Sequence, residues 1–263
     1  MTYIDAIILG LVQGLTEFLP VSSSGHLEIG SVFLNIHDGD NLLFSVVVHA
    51  ATALSTIVVF RREIVDIFRD LFEFKYNASV RYVLLLALSM VPVGLVGVLW
   101  KSEIESLFGG NILFVCGMLL ITSLLLTVSH FAKPGDKSVG WGSAIIIGLS
   151  QALALLPGIS RSGATISTAL VLGVDREKAA RFSFLMVLVP ILGAMAMQLR
   201  DLSEASGSII NTNYTVLLTG FLSAFISGLL ACRWMIRLVK RGKMLYFAIY
   251  CFVIATTVMI LYW

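Results

Sequence analysis

The sequence predicts an all-α polytopic membrane protein with six transmembrane helices and two re-entrant helix–loop–helix hairpins in an inverted-topology repeat. The first observation is composition: of 263 residues, 58% are hydrophobic and 13% are charged, whereas a soluble domain has about 25% charged residues. The second is the length of the apolar stretches, and the third is a motif that interrupts two of them. No polar linker divides the chain, so we predict a single membrane domain over residues 1–263.

Six apolar stretches are long enough to cross a bilayer, which takes about 20 residues of helix. They are residues 42–60, 82–100, 112–131, 182–199, 215–236 and 244–262. Two further apolar stretches, 4–34 and 141–174, are interrupted by Pro, Gly and Ser. Non-helical backbone at membrane depth needs protein or a water-filled cavity to satisfy its polar groups. We therefore interpret both as hairpins that enter the membrane and return. The alternative is an ordinary span with a kink.

Basic residues are divided unequally between the two sides that this arrangement defines. One side carries fifteen of the eighteen Lys and Arg, the other carries Lys101 and Arg200, and Arg161 lies within the second break. Because loops rich in Lys and Arg stay in the cytoplasm, we predict that the basic side is cytoplasmic and that both termini are extracytoplasmic. Residues 1–20 have no basic start, so we expect no cleaved signal peptide.

The two broken stretches resemble one another. Residues 10–25 and 148–163 share seven identities at a constant offset of 138. Each half then holds one hairpin and three spans, an odd number, so the second half is expected to be inverted relative to the first. The predicted repeats cover approximately residues 1–134 and 135–263.

Inverted repeats place their sites near the membrane midplane, where broken helices from the two halves meet. We therefore expect one site that combines Gln13 to His26 with Pro157 to Thr165. Glu17 is its main acidic candidate, because an ionisable side chain at membrane depth is costly and usually faces a cavity with a partner. The alternative is a carboxylate near the outer interface with no special task.

Gln13 and Glu17 are four residues apart, so a helix places them on one face. Their oxygens suit a hard divalent cation, Mg²⁺ or Ca²⁺, and a bound diphosphate would have to complete the coordination. These two residues are therefore the predicted metal ligands.

Arg161 supplies the complementary charge. A guanidinium group matches phosphate oxygens in a bidentate way, and a helix that starts after the turn would direct its positive end at the same anion. The alternative is an internal ion pair with Glu17. The predicted substrate-binding residues lie beside these charges and are themselves uncharged; they are Gln13, Ser22, Ser24, Ser160, Ser162, Gly163 and Thr165.

Ser22, Ser23, Ser24 and His26 form the reactive side of the predicted site. A serine needs a neighbouring base to attack phosphorus, and histidine is the usual one. We favour Ser23 with His26 as its base, and direct attack by His26 is the alternative. The alternative for each serine is a structural role, in which its hydroxyl forms hydrogen bonds with backbone groups of the loop. His49 either lines the cavity or packs in the core.

These residues resemble those of the bacterial undecaprenyl-diphosphatases, also called bacitracin-resistance proteins, along the whole chain. The family's Glu/Gln-x-x-x-Glu motif is similar to Gln13–Glu17 and continues to His26. Its Pro-Gly-x-Ser-Arg-Ser-x-x-Thr motif is similar to residues 157–165. Gln13 stands where some members have a second carboxylate.

The resemblance implies hydrolysis of undecaprenyl diphosphate to the monophosphate in the bacterial inner (plasma) membrane. That reaction recycles the lipid carrier of cell-wall synthesis and confers bacitracin resistance. The resemblance also implies dependence on Mg²⁺ or Ca²⁺. Glu17 and Gln13 would assist the metal or water, Ser23 and His26 would form the nucleophilic pair, and Arg161 would hold the diphosphate.

The rival function is transport, since inverted repeats with broken helices also build secondary transporters. A flippase for polyprenyl phosphate would use the same Arg161 and cavity, but it would need neither nucleophile nor base. A channel is disfavoured because no span has a regular series of polar residues.

The expected partners are the polyprenyl diphosphate lipid and the bilayer, without nucleic acid. The sequence does not determine the oligomeric state, and a homodimer is compatible with it.

Overall fold

The computed structural model describes residues 1–33, 41–107, 111–204 and 213–262. Within these ranges every regular element is a helix, which confirms the predicted fold class. The helices are α1 (Tyr3–Thr16), α2 (Ser23–Phe33), α3 (Asn41–Val59), α4 (Arg61–Leu71), α5 (Ala78–Leu99), α6 (Lys101–Glu105), α7 (Ile112–Phe131), α8 (Trp141–Leu153), α9 (Arg161–Val171), α10 (Arg176–Glu204), α11 (Tyr214–Lys240) and α12 (Leu245–Tyr262).

Five of these helices, α5, α7, α10, α11 and α12, are long and apolar enough to cross a membrane. The sixth candidate is α3 together with α4, which are bent by 72° relative to each other. The predicted span 42–60 thus corresponds to α3, which ends at Val59. The bend starts α4 with the charged triplet Arg61 to Glu63, and charged side chains favour water over the hydrocarbon core.

The two interrupted stretches are helix–loop–helix pairs, as predicted. The helices α1, α2, α8 and α9 have 14, 11, 13 and 11 residues, each short of the roughly 20 that a span requires. The offset of 138 relates α2 to α9 residue by residue and α8 to all but the last residue of α1. The inverted orientation of the two halves stays a prediction.

The first short helix of each half packs on a long helix of the other half: α1 lies along α11, and α8 lies along α5. Close approach requires glycine in both places. A Cβ on Gly14 would lie 2.0 Å from Ser227 Oγ of α11, and one on Gly148 would lie 2.4 Å from Ser89 O of α5. Small residues let helix backbones approach and gain dispersion contacts in lipid, where the hydrophobic effect does not drive helices together.

Candidate active site

The two loops that break the hairpins meet inside the protein. Ser162 Oγ donates a hydrogen bond to Leu19 O of the first loop at 3.3 Å. The second loop is also held by α7, where Thr122 Oγ1 accepts from Ser160 N at 2.9 Å and donates to Gly158 O at 3.0 Å. Backbone groups freed by the broken helix thus find protein partners, as burial at membrane depth requires.

Glu17 is the centre of the cluster that forms where the loops meet, and its side chain is 3% exposed. One carboxylate oxygen, Oε1, forms an ion pair with Arg161 Nη2. The other, Oε2, accepts from Gln13 Nε2 at 3.0 Å and from Ser23 Oγ at 2.8 Å. The structure therefore brings together Gln13, Glu17, Ser23 and Arg161 from both halves of the chain.

Two helices begin at this cluster. Ser23 is the first residue of α2, and Arg161 is the first residue of α9. The first N–H groups of a helix have no intrahelical acceptor, and together with the helix dipole they favour an anion. The Arg161 side chain is 26% exposed, so the guanidinium remains accessible while its carboxylate partner is buried. The arrangement suits an anionic group such as a phosphate.

Ser22 and Ser24 shape the first loop. Ser22 has φ of 70°, a left-handed conformation that is uncommon for residues with a side chain. Its hydroxyl accepts from Gly25 N at 3.3 Å and lies 3.4 Å from Ser24 Oγ. Strain of this kind occurs at functional sites when surrounding contacts hold it. Contact of either serine with substrate stays a prediction.

The predicted substrate-binding residues of the second loop form hydrogen bonds within the protein. Ser160 caps α9 by accepting from Gly163 N at 3.0 Å. Thr165 Oγ1 donates to Arg161 O at 2.8 Å and lies 2.6 Å from Ser183 Oγ of α10. Together with Ser162, these residues hold Arg161 in place. Their direct contact with a substrate stays a prediction.

His26 is bonded through both ring nitrogens, and neither partner is Ser23. Nδ1 lies 2.8 Å from Ser22 O, and Nε2 lies 2.9 Å from the hydroxyl of Tyr250. A carbonyl only accepts, so Nδ1 carries the hydrogen, and in the neutral ring Nε2 accepts from Tyr250. The Tyr250 ring stacks on His26 with centroids 5.5 Å apart. The predicted Ser23–His26 pair stays a prediction, and the hydroxyl of Ser23 is bonded to Glu17 instead.

Tyr250, Thr122 and Ser183 join the site without having been predicted. They lie on the spans α12, α7 and α10, respectively. A single polar side chain in an otherwise apolar span does not by itself indicate a functional site. The offset of 138 does relate Ser183 to Ser45, whose carbonyl accepts from His49 Nδ1 at 2.8 Å. His49 lies on α3 and is half-buried.

Gln13 and Glu17 fit a divalent cation in part. Gln13 is fully buried, and its Oε1 has no hydrogen-bond partner in the described part of the chain. That orphaned oxygen points to a missing partner, and a hard cation accepts oxygen ligands of this type. Among the described residues there is no group of three or more His, Cys, Asp or Glu that could hold a metal alone. A metal here would need oxygens from the substrate.

Fold and site together define a multi-pass membrane protein with a buried ion pair, Arg161–Glu17, between two broken helical hairpins. Residues 6–257 match the model of the family described as bacitracin resistance protein BacA. The chain belongs to this family.

Curated relatives agree with this assignment. The chain is 53% identical over 262 residues to an undecaprenyl-diphosphatase of Christiangramia forsetii, with 99% of the chain and 98% of that protein covered. It is 49% identical to an undecaprenyl-diphosphatase of Bacteroides fragilis, with the same coverage. It is 39% identical to one of Methanobrevibacter smithii, with 98% of the chain and 97% of that protein covered.

Proposed function

We propose that this protein hydrolyses undecaprenyl diphosphate to undecaprenyl phosphate and inorganic phosphate in the bacterial inner membrane. The observation that carries the proposal is the contact chain Arg161–Glu17–Ser23 at the starts of two helices. It combines an anion-binding group, a carboxylate and a hydroxyl nucleophile. The names of the curated relatives supply the substrate. The product is the lipid carrier of cell-wall synthesis, and its regeneration explains bacitracin resistance.

Substrate binding would change the partner of Arg161. The guanidinium group fits the terminal phosphate in a bidentate way, and the first N–H groups of α9 face the same anion. As Arg161 turns to the phosphate, Oε1 of Glu17 is released from the ion pair, while Oε2 keeps its contact with the Ser23 hydroxyl. Oε1 would then be available to the cation, and Oε2 to the serine proton.

Ser23 is the proposed nucleophile, because its hydroxyl already donates to Glu17 at 2.8 Å. Ser23 Oγ attacks the terminal phosphorus, the bond from phosphorus to the bridging oxygen breaks, and undecaprenyl phosphate leaves. Glu17 takes the serine proton. Water then attacks the phosphoserine, the Oγ–phosphorus bond breaks, Oγ takes back the proton that Glu17 holds, and both protons of the water leave with inorganic phosphate.

Mg²⁺ or Ca²⁺ is the proposed cofactor, with Gln13 Oε1 and a Glu17 oxygen as the protein ligands. When bound, the cation neutralises charge on the diphosphate and stabilises the charge that develops on the leaving oxygen. The orphaned oxygen of Gln13 supports this assignment.

Phosphate release by the purified protein tests the function. In detergent, the wild type is expected to release inorganic phosphate from undecaprenyl diphosphate, to stop after addition of a chelator, and to recover with Mg²⁺ or Ca²⁺. The matched control is Arg62→Lys, a conservative change at an exposed arginine on α4, which should leave the rate unchanged. Absence of phosphate release, together with movement of undecaprenyl phosphate across vesicles, would establish the transport function instead.

Both termini are proposed to lie outside the cytoplasm, because the fifteen basic residues share the opposite side. Cysteines introduced near Gly39 and Asn211, which lie outside the described residues, should react with an impermeant reagent on intact cells. A cysteine at Ser138 should be protected. The unaltered chain is the control, since Cys116, Cys232 and Cys251 are free and buried. Labelling of Gly39 and Asn211 from opposite sides would refute the inverted arrangement.

A further inference from the structure

A separate cavity of about 740 Å³ lies where α7 and α9 end. This volume is within the range of roughly 300–1,000 Å³ that is usual for small-molecule sites. One wall consists of apolar side chains at the helix ends, Val128, Phe131 and Val171, which are 50%, 76% and 54% exposed. Val128 and Phe131 lie at the end of α7, a candidate span, where exposed apolar side chains are expected to face lipid. The cavity is therefore expected to open toward the bilayer.

The opposite wall is the connection between α7 and α8, and it carries Lys133, Asp136 and Lys137. Both lysines are exposed, and neither has an ion-pair partner among the residues that the structure describes. The cavity therefore has an apolar side and a charged side. The charged side carries two lysines without ion-pair partners in the described structure and one carboxylate, Asp136, which leaves an excess of positive charge.

The connecting segment is tied to the end of α9, so the cavity is preformed. Lys137 N donates to Gly173 O at 3.3 Å, and Asp175 N donates to Lys137 O at 3.0 Å. These bonds place Lys137 beside Val174 in an isolated parallel bridge. A ligand would gain contacts without paying to order this loop.

We propose that this cavity binds one anionic phospholipid, with its headgroup phosphate between Lys133 and Lys137 and an acyl chain along Val128, Phe131 and Val171. Basic pockets between membrane helices at the cytoplasmic surface bind anionic headgroups in this way. The site is distinct from the catalytic cluster: α9 begins at Arg161 and reaches the cavity at Val171, about 15 Å away along the helix axis.

The consequence is a lipid contact that joins α7 to α9. Thr122 of α7 already holds the loop that precedes α9, so a lipid at the far end would fasten the same pair of helices at a second point. Because a ligand stabilises the state that binds it, phosphatidylglycerol should raise the thermal midpoint of the protein in neutral detergent. Phosphatidylcholine should not.

The test compares two double variants that remove the same charge. Lys133→Gln/Lys137→Gln should weaken retention of dioleoylphosphatidylglycerol, measured by native mass spectrometry, about 30-fold, since each lysine contributes a factor of about five. The matched control is Arg62→Gln/Lys75→Gln, which removes two exposed cations from the predicted same side and should retain the lipid like wild type. Equal loss in both variants would reduce the proposal to general surface charge and overturn it.

Two further measurements do not require the lysine variant to fold. Asp136→Asn removes the one carboxylate that would repel the lipid phosphate and should therefore increase phosphatidylglycerol retention. Misfolding would reduce retention, so it cannot produce this increase. Glycerol 3-phosphate carries a phosphate monoester without acyl chains and should neither stabilise the protein nor displace the lipid. Stabilisation by glycerol 3-phosphate alone, or unchanged retention in Asp136→Asn, would contradict a lipid site. None of these readouts depends on phosphatase activity.

Discussion

Arg161→Lys is expected to lower kcat/KM for undecaprenyl diphosphate by about 100- to 1,000-fold, the usual effect of losing one charge contact in the transition state. Lysine keeps the positive charge but lacks the planar fork that binds two phosphate oxygens at once. Its ammonium group can still neutralise Glu17. The measurement is phosphate release by purified variant and wild type, with thermal midpoints recorded beside it. Near-normal turnover of the variant would refute the role of Arg161 in binding the diphosphate.

Arg161→Ala, compared with a double variant, separates the contribution of Arg161 to stability from its contribution to catalysis. Removing one partner of a buried ion pair costs about 3–5 kcal/mol, because the remaining charge is left without compensation, and Glu17 is almost completely buried. Arg161→Ala/Glu17→Gln removes both charges and should recover much of that stability without recovering activity. If activity returned together with stability, the pair would be structural only.

Ser23→Ala is expected nearly to abolish phosphate release, because no other hydroxyl in the described site donates to Glu17. Glu17→Gln should lower the rate about 10²- to 10⁴-fold, as loss of a general base does. The double variant Ser23→Ala/Glu17→Gln should be little worse than Ser23→Ala, since residues that act as one unit are strongly non-additive. The matched control is Ser31→Ala, a serine on the same helix, α2, that lies outside the predicted site and whose loss should have a small effect.

The same series distinguishes the two bases available to Ser23. If Glu17 is the base, His26→Ala and Tyr250→Phe should cause similar and smaller losses, because the tyrosine hydroxyl holds the His26 ring. If His26 is the base, His26→Ala should be as damaging as Ser23→Ala. Direct attack by His26 would leave Ser23→Ala active and would yield an acid-labile phosphoenzyme, whereas phosphoserine withstands acid.

Local patterns were sufficient for the fold class, the spans and the two breaks. Hydropathy marks segments long enough for the bilayer because lipid excludes polar groups over a fixed thickness. Pro157 and Gly158, and Pro20 with its serines, mark where a helix cannot continue. The spacing of Gln13 and Glu17 also predicts their contact, because residues four apart meet on one helix face.

Only the tertiary structure decided how the catalytic cluster is assembled. Arg161 and Glu17 are 144 residues apart in sequence, and Tyr250 and His26 are 224 apart, so no local periodicity reports their contact. Tyr250 lies on α12, a helix that is apolar on all sides, where hydropathy does not tell the lipid face from the protein face because both are apolar. The sequence by itself determined which residues could perform the chemistry. The turn between α1 and α2 decided that Ser23 meets Glu17, and the position of α12 decided that His26 meets Tyr250, because local hydropathy sets neither the turn geometry nor the arrangement of the helices.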